Sequence, residues 1–203
     1  MTNAISLTAP TLAESIWPLG DKTPAQRLMR GAVLAFAGSL LMAVSSKLQV
    51  PFYPVPMTMT TFVILTIGMA YGPRLGMATI LLYLGEGAMG LPVFAGTPEK
   101  GIGIAYMMGG TGGYLLGYVL AVGICGWLAT RGFDRNVFKT ASAMFAANVA
   151  IYVPGILWLG VLYGWDKPIL EWGLYPFILG DLTKLALASV ALPLIWQRLN
   201  KSN

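Results

Sequence analysis

In the stretch LGDLTKLALASVALPLIW, Leu179 to Trp196, an aspartate and a lysine stand three residues apart in otherwise apolar surroundings. At i and i+3, Asp181 and Lys184 share one helix face. A lysine suits a carboxylate, and an aspartate suits N–H donors. Glu86 and, ranking lower, the uncharged Asn148 are further polar side chains inside apolar runs. Two readings follow. Either Asp181 and Lys184 neutralise each other while Glu86 reaches headgroups, or the set receives a small amphipathic anion with an amide-like or ureido group. Of 13 basic and 8 acidic residues, only Asp181, Lys184 and Glu86 fall deep in apolar runs, and the acid surplus leaves one carboxylate without an intrachain cation. That favours a ligand.

Other chemistry is restricted by what is missing. The chain has no histidine and one cysteine, Cys125, which excludes imidazole or paired-thiolate metal sites and an internal disulfide within it. Cys125 lies on a row of small residues and reads as packing. The glycine-rich GGTGGYLLGY lacks the Lys-Ser/Thr pair that holds nucleotide phosphate and magnesium, so no ATP hydrolysis is expected here. An enzyme using Glu86 and Asp181 as acid and base would need a nucleophile or metal assembly that the neighbouring sequence does not offer. No cofactor is called for.

The elements that position these residues are set by lipid. The 203 residues are 56% hydrophobic and 10% charged, with mean hydropathy +0.69, far outside the soluble range. A helix crossing a bilayer needs about 20 apolar residues, and six runs qualify: Arg27 to Ser46, Met57 to Gly72, Pro73 to Gly90, Gly112 to Thr130, Thr140 to Tyr163 and Leu174 to Arg198. The fold class is an all-α integral membrane protein, with six transmembrane helices in one bundle formed by residues 27–203. Residues 1–26 form a mobile cytoplasmic tail. With the N-terminus inside, the cytoplasmic end receives Lys22, Arg27, Arg30, Arg74, Arg131, Arg135, Lys139, Arg198 and Lys201, and the outer end only Lys47, Lys100 and Lys167. Both termini are therefore expected in the cytoplasm. The net charge of +5 is explained by this bias, and no nucleic-acid partner is expected. Tyr163, Trp165, Trp172 and Tyr175 fit an outer aromatic belt, and Trp127 and Trp196 an inner one. In this topology Asp181 and Lys184 lie roughly 10 and 15 Å below the outer end of their helix, and Glu86 also falls in the outer half.

Small residues recur every four positions in two helices: Gly31, Ala35, Ser39 and Ala43 in the first, and Gly113, Gly117, Ala121, Cys125 and Ala129 in the fourth. Such rows permit close backbone approach in lipid. Spacing does not say which row packs internally.

The stretches PVPMTMTTF, YLGEGAMGLPVFAG, GGTGGYLLGY and GDLTK resemble the biotin-specific S components, the BioY family, of energy-coupling factor transporters. The resemblance runs from Leu28 to Arg198. It implies a substrate-capture subunit of the cell membrane that binds biotin near the outer face. The partners implied are a membrane-embedded coupling protein and two cytoplasmic ATPase subunits. Asp181 and Lys184 then belong to the binding region, with Glu86, Tyr83 and Asn148 as further candidates. The outer loops carrying Pro51, Phe52, Tyr53, Pro54 and Pro56, and the connection carrying Phe94, would cover the site. Phe52, Tyr53, Tyr83, Phe94 and Tyr106 are candidates to wall the ligand ring. The working pairing is lysine to the valerate carboxylate and acid to the ureido N–H groups, the reverse remaining open. The resemblance assigns docking of the coupling protein to Gly31, Ala35, Ser39 and Ala43. An S component for thiamine or riboflavin, or a stand-alone ion-driven carrier, is the alternative.

Overall fold

The computed structural model describes residues 9–18, 20, 23–50 and 53–202. In chain order these form α1 (Leu12–Ile16), α2 (Pro24–Lys47), a two-stranded ribbon of β1 (Gln49–Val50) and β2 (Met57–Thr58), α3 (Thr60–Ala88), α4 (Gly103–Met107), α5 (Gly112–Ala129), a 3₁₀ turn at Phe133–Arg135, α6 (Val137–Tyr163), α7 (Ile169–Gly173) and α8 (Tyr175–Ser202). Five helical stretches among the described residues are long and apolar enough to cross a membrane: Pro24–Lys47, Thr60–Ala88, Gly112–Ala129, Val137–Tyr163 and Ile169–Lys201.

The helix starts follow local chemistry. Thr23 accepts the Gln26 amide and the Gln26 side chain accepts the Thr23 amide, closing a capping box with Pro24 in the first turn. This moves the start three residues ahead of the expected Arg27. Asn136 caps α6 by accepting from the amides of Phe138 and Lys139.

The second and third expected helices are joined in α3, but not straight. Gly72 has φ 75° and ψ −179°, and Pro73 follows. Glycine tolerates that dihedral, and proline cannot supply the amide that would continue the first helix. A Cβ placed on Gly76 would lie 3.7 Å from the Cα of Gly68, whereas eight residues of straight helix span about 12 Å. The two limbs therefore fold back on each other.

The central layer is α3 against α5 and α5 against α6, with α8 across α6 and α3 and with α2 on the outside of α3. The small-residue row of α5, from Gly113 to Ala129, is buried throughout. At Gly117 a Cβ would sit 2.6 Å from the Cα of Ile151, so α5 and α6 meet backbone to backbone.

Within the described part of the expected tail, α1 closes the arginine-rich end. Leu12 and Ala13 are buried, the Ala9 amide donates to the Thr130 carbonyl at 2.8 Å, and Arg135 donates to the Pro10 carbonyl. The Trp196 indole N–H donates to Asp134, so Trp196 is buried instead of joining an aromatic belt. Trp127 remains half exposed.

Candidate functional site

At the other end, α3, α5, α6 and α8 diverge around a cavity with about 590 Å³ of space free of protein atoms, part of it open to solvent. The limbs of α3 meet here: Thr60 and Thr61 begin the first, Tyr83 lies in the last two turns of the second, and all three line the cavity.

Asp181 and Lys184 form its polar floor, one helical turn apart and buried. Lys184 Nζ donates to Asp181 Oδ1 at 2.8 Å, to the Thr58 carbonyl at 2.6 Å and to Thr61 Oγ1 at 3.1 Å. These use all three ammonium hydrogens. Thr61 in turn donates to Asp181 Oδ1 at 3.0 Å, and the Tyr152 hydroxyl to Asp181 Oδ2 at 2.6 Å. The pair is thus neutral as a unit. One acceptor position on Oδ2 is left over, since a carboxylate oxygen accepts two hydrogen bonds.

The walls are aromatic. Phe94 stacks on Tyr106 with centroids 5.0 Å apart and meets the edge of Tyr83 at 5.3 Å; Tyr114 and Tyr152 make an edge-on pair at 6.1 Å. Tyr118, Phe177 and Ile151 complete the lining. Burial pushes the Tyr106 hydroxyl above its usual range, so it stays a neutral donor, bonded to the Ala95 carbonyl.

Phe94 reaches this place because the connection after α3 is pinned to the end of α2. Ser46 Oγ donates to the Val93 carbonyl, and Lys47 Nζ to the carbonyls of Phe94 and Thr97. The Tyr83 hydroxyl also donates to Val93. A Cβ on Gly87 would overlap the Phe94 ring, which explains the second of the three glycines in YLGEGAMG.

Of the expected site residues, Asp181, Lys184, Tyr83, Phe94 and Pro56 line the cavity. Tyr53 and Pro54 line a shallower groove beyond it with Pro56 and Tyr163; Pro51 and Phe52 lie outside the described residues. Glu86 does not converge with the pair. It faces α2, where Ser39 Oγ lies 2.7 and 2.9 Å from its carboxylate oxygens. Asn148 is buried with Oδ1 unpartnered, outside the cavity lining.

The α2 row is also placed differently from expectation. Ala35 and Ser39 are buried and Ala43 packs on the core, so the face carrying them is turned to α3; Gly31 has open space where a Cβ would sit. Ser39 is drawn inward by Glu86. At neighbouring Gly38 a Cβ would come 2.6 Å from the Thr79 methyl. Val33, Phe36, Leu40 and Val44 form the outward face.

Thr61, Tyr114, Tyr118 and Tyr152 were not among the expected residues. A sequence signal existed for Tyr152: it follows Asn148 by four positions, hence shares a helix face with it. Thr61 was inside the quoted PVPMTMTTF.

A family model described as the BioY family matches residues 18–201. A protein of Pyrococcus horikoshii named probable biotin transporter BioY is 35% identical over 150 residues, covering 74% of this chain and 86% of the relative. A Thermotoga maritima protein named biotin transporter BioY is 32% identical over 162 residues, covering 80% and 93%. The crystal structure of the S-component for biotin from an ECF-type ABC transporter has a similar fold. Its TM-score is 0.73 over 87% of this chain and 95% of that one, at 21% identity.

Proposed function

Because this chain belongs to the BioY family, we propose that it is the biotin-capture subunit of an energy-coupling factor transporter and binds biotin in the aromatic cavity above Asp181 and Lys184. The observation that carries the reading is the closed ion pair inside an aromatic box. A self-neutralised donor–acceptor couple complements a neutral donor–acceptor group better than a lone carboxylate, which would have to displace one of the three bonds of Lys184. The ureido ring is such a group. Its N–H meets the spare position on Asp181 Oδ2, which leaves the three bonds of Lys184 in place. This favours the ureido end at the pair, with the thioether ring among Tyr83, Phe94, Tyr106 and Tyr114.

The fold-back at Gly72 makes α3 two crossings, giving six with α2, α5, α6 and α8. The first limb is short because the cavity occupies the remaining depth. Both termini then face the cytoplasm of a cell membrane, at the arginine-rich end. Energy comes from a membrane-embedded coupling protein and two ATPase subunits. The coupling protein has the outward face of α2 available, since α2 leans chiefly on α3 and Val33, Phe36, Leu40 and Val44 are exposed.

Equilibrium binding of labelled biotin, competed with thiamine, riboflavin and biotin amide, tests this. Biotin and its amide should compete within a few fold of each other, and the two other vitamins not at all. Binding of thiamine or riboflavin without biotin would overturn the substrate; loss of binding on amidation would return the carboxylate to Lys184. ATP-driven uptake by the chain reconstituted alone would overturn the division of labour.

A further inference from the structure

A second cavity lies at the arginine-rich end, bounded by α1, the start of α2, the Gly72 turn and the end of α5, with about 980 Å³ of space free of protein atoms, part of it open. Its charged lining consists of Arg30, Arg74 and Glu14. Among the described residues the ion pairs are Asp166 with Lys167 and Asp181 with Lys184, and neither arginine has a carboxylate partner among them.

Arg30 is the unusual member. It is only 6% exposed; its Nη2 donates to the Ala13 carbonyl at 2.6 Å, and its guanidinium carbon lies 5.8 Å from the Trp17 ring centroid. Its Nε has no hydrogen-bond partner. A buried guanidinium donor is costly to leave unmet. Arg74 is exposed at the mouth. Glu14 offsets one charge, but one of its oxygens is engaged by the Thr11 amide in the α1 capping box. Two guanidiniums against one carboxylate leave a single net positive charge, which matches a phosphodiester monoanion, and guanidinium is suited to phosphate oxygens.

We propose that this cavity is an anion site for a phosphate ester, filled by the headgroup of an anionic phospholipid. The depth of the cavity selects the lipid source. Trp127 lines it and is 50% exposed, and Trp17, with its ring centroid 5.8 Å from the Arg30 guanidinium carbon, is 41% exposed. Half-exposed tryptophans mark the headgroup level of a bilayer, and basic pockets between helices at that level hold lipid phosphates. The headgroup would tie α1 to α2 and α3 through Arg30 and Arg74.

The test uses the full chain in a neutral detergent, titrated with phosphatidylglycerol, phosphatidylcholine or inorganic phosphate while the thermal midpoint and lipid retention in native mass spectra are followed. Phosphatidylglycerol should raise the midpoint and be retained, and phosphatidylcholine should do so far less. Arg74→Ala, exposed and safe for folding, should weaken the phosphatidylglycerol effect roughly tenfold and leave biotin affinity unchanged. A wild-type response to inorganic phosphate equal to that of phosphatidylglycerol, lost in Arg74→Ala, would keep the phosphate site and identify a soluble occupant. Equal responses to the two lipids, or an unaltered phosphatidylglycerol response in Arg74→Ala, would overturn the proposal.

Discussion

The two ends of the bundle treat buried charge in opposite ways. At the cavity end, Lys184 and Asp181 satisfy each other and are ringed by Thr58, Thr61 and Tyr152, so every lysine hydrogen has an acceptor. At the arginine-rich end, Asp134 is 1% exposed, and its one side-chain hydrogen bond comes from Trp196, with Oδ1 unpartnered. Arg30 likewise keeps an orphan Nε. The first end is a finished dipole that a neutral polar ring can join. The second holds buried groups with unmatched atoms, Arg30 Nε and Asp134 Oδ1.

The largest effect expected from breaking this contrast is at the pair. Asp181→Asn or Lys184→Met alone leaves an uncompensated buried charge, a loss of about 3–5 kcal/mol in stability, together with a fall in biotin affinity of roughly tenfold to more than a hundredfold. The double variant should regain much of the thermal midpoint without regaining biotin binding. A double variant that binds biotin like wild type would make the pair a structural neutraliser only.

Next in size is Gly87→Val, which drives a side chain into the Phe94 ring. Overpacking of this kind costs about 1–3 kcal/mol, and here it displaces a cavity wall, so biotin affinity should fall by roughly tenfold or more while the arginine-rich end is unaffected. Retained affinity would mean that Phe94 is not needed in place. A smaller change is expected for Tyr152→Phe. It removes one donor from Asp181 Oδ2, but a ligand N–H can take the vacated position, so calorimetric binding should weaken only a few fold. A loss as large as that of Asp181→Asn would mean that the tyrosine hydroxyl itself contacts the ligand.

What was legible in the sequence follows the same division. The depth of Asp181 and Lys184 was readable because a charge inside an apolar helix is costly and has few explanations. Their surroundings were not: Tyr114 and Tyr118 are aromatic residues in apolar helices, which look the same whether they pack or line a cavity. Glu86 was placed at a sensible depth but on the wrong side, because depth follows from residue count whereas facing depends on how the second limb of α3 is rotated after Gly72. The α2 row shows the same limit. Spacing of four defines a flat face, and contacts such as Ser39 with Glu86 and Gly38 with Thr79 tell that α3 lies on it. The closure by α1 was missed because five helical residues carry no apolar period to detect.

The smallest expected effect sharpens the contrast at the arginine-rich end. Burial raises the Asp134 carboxyl above its ordinary value, opposed by the hydrogen bond from Trp196 and by the nearby Arg135 charge. An acid with a raised folded pKa holds its proton more tightly in the folded state. Folding is therefore unpenalised below the unfolded value of about 3.9, and stability falls as pH rises from there through the folded pKa. Asp134→Asn keeps an acceptor for the Trp196 N–H and cannot ionise. Measured as thermal midpoints in one detergent, wild type minus variant should be larger near about pH 4 than near about pH 7. Parallel midpoint curves for wild type and Asp134→Asn would mean that solvent already reaches Oδ1, and the arginine-rich end would then be no less satisfied than the cavity end.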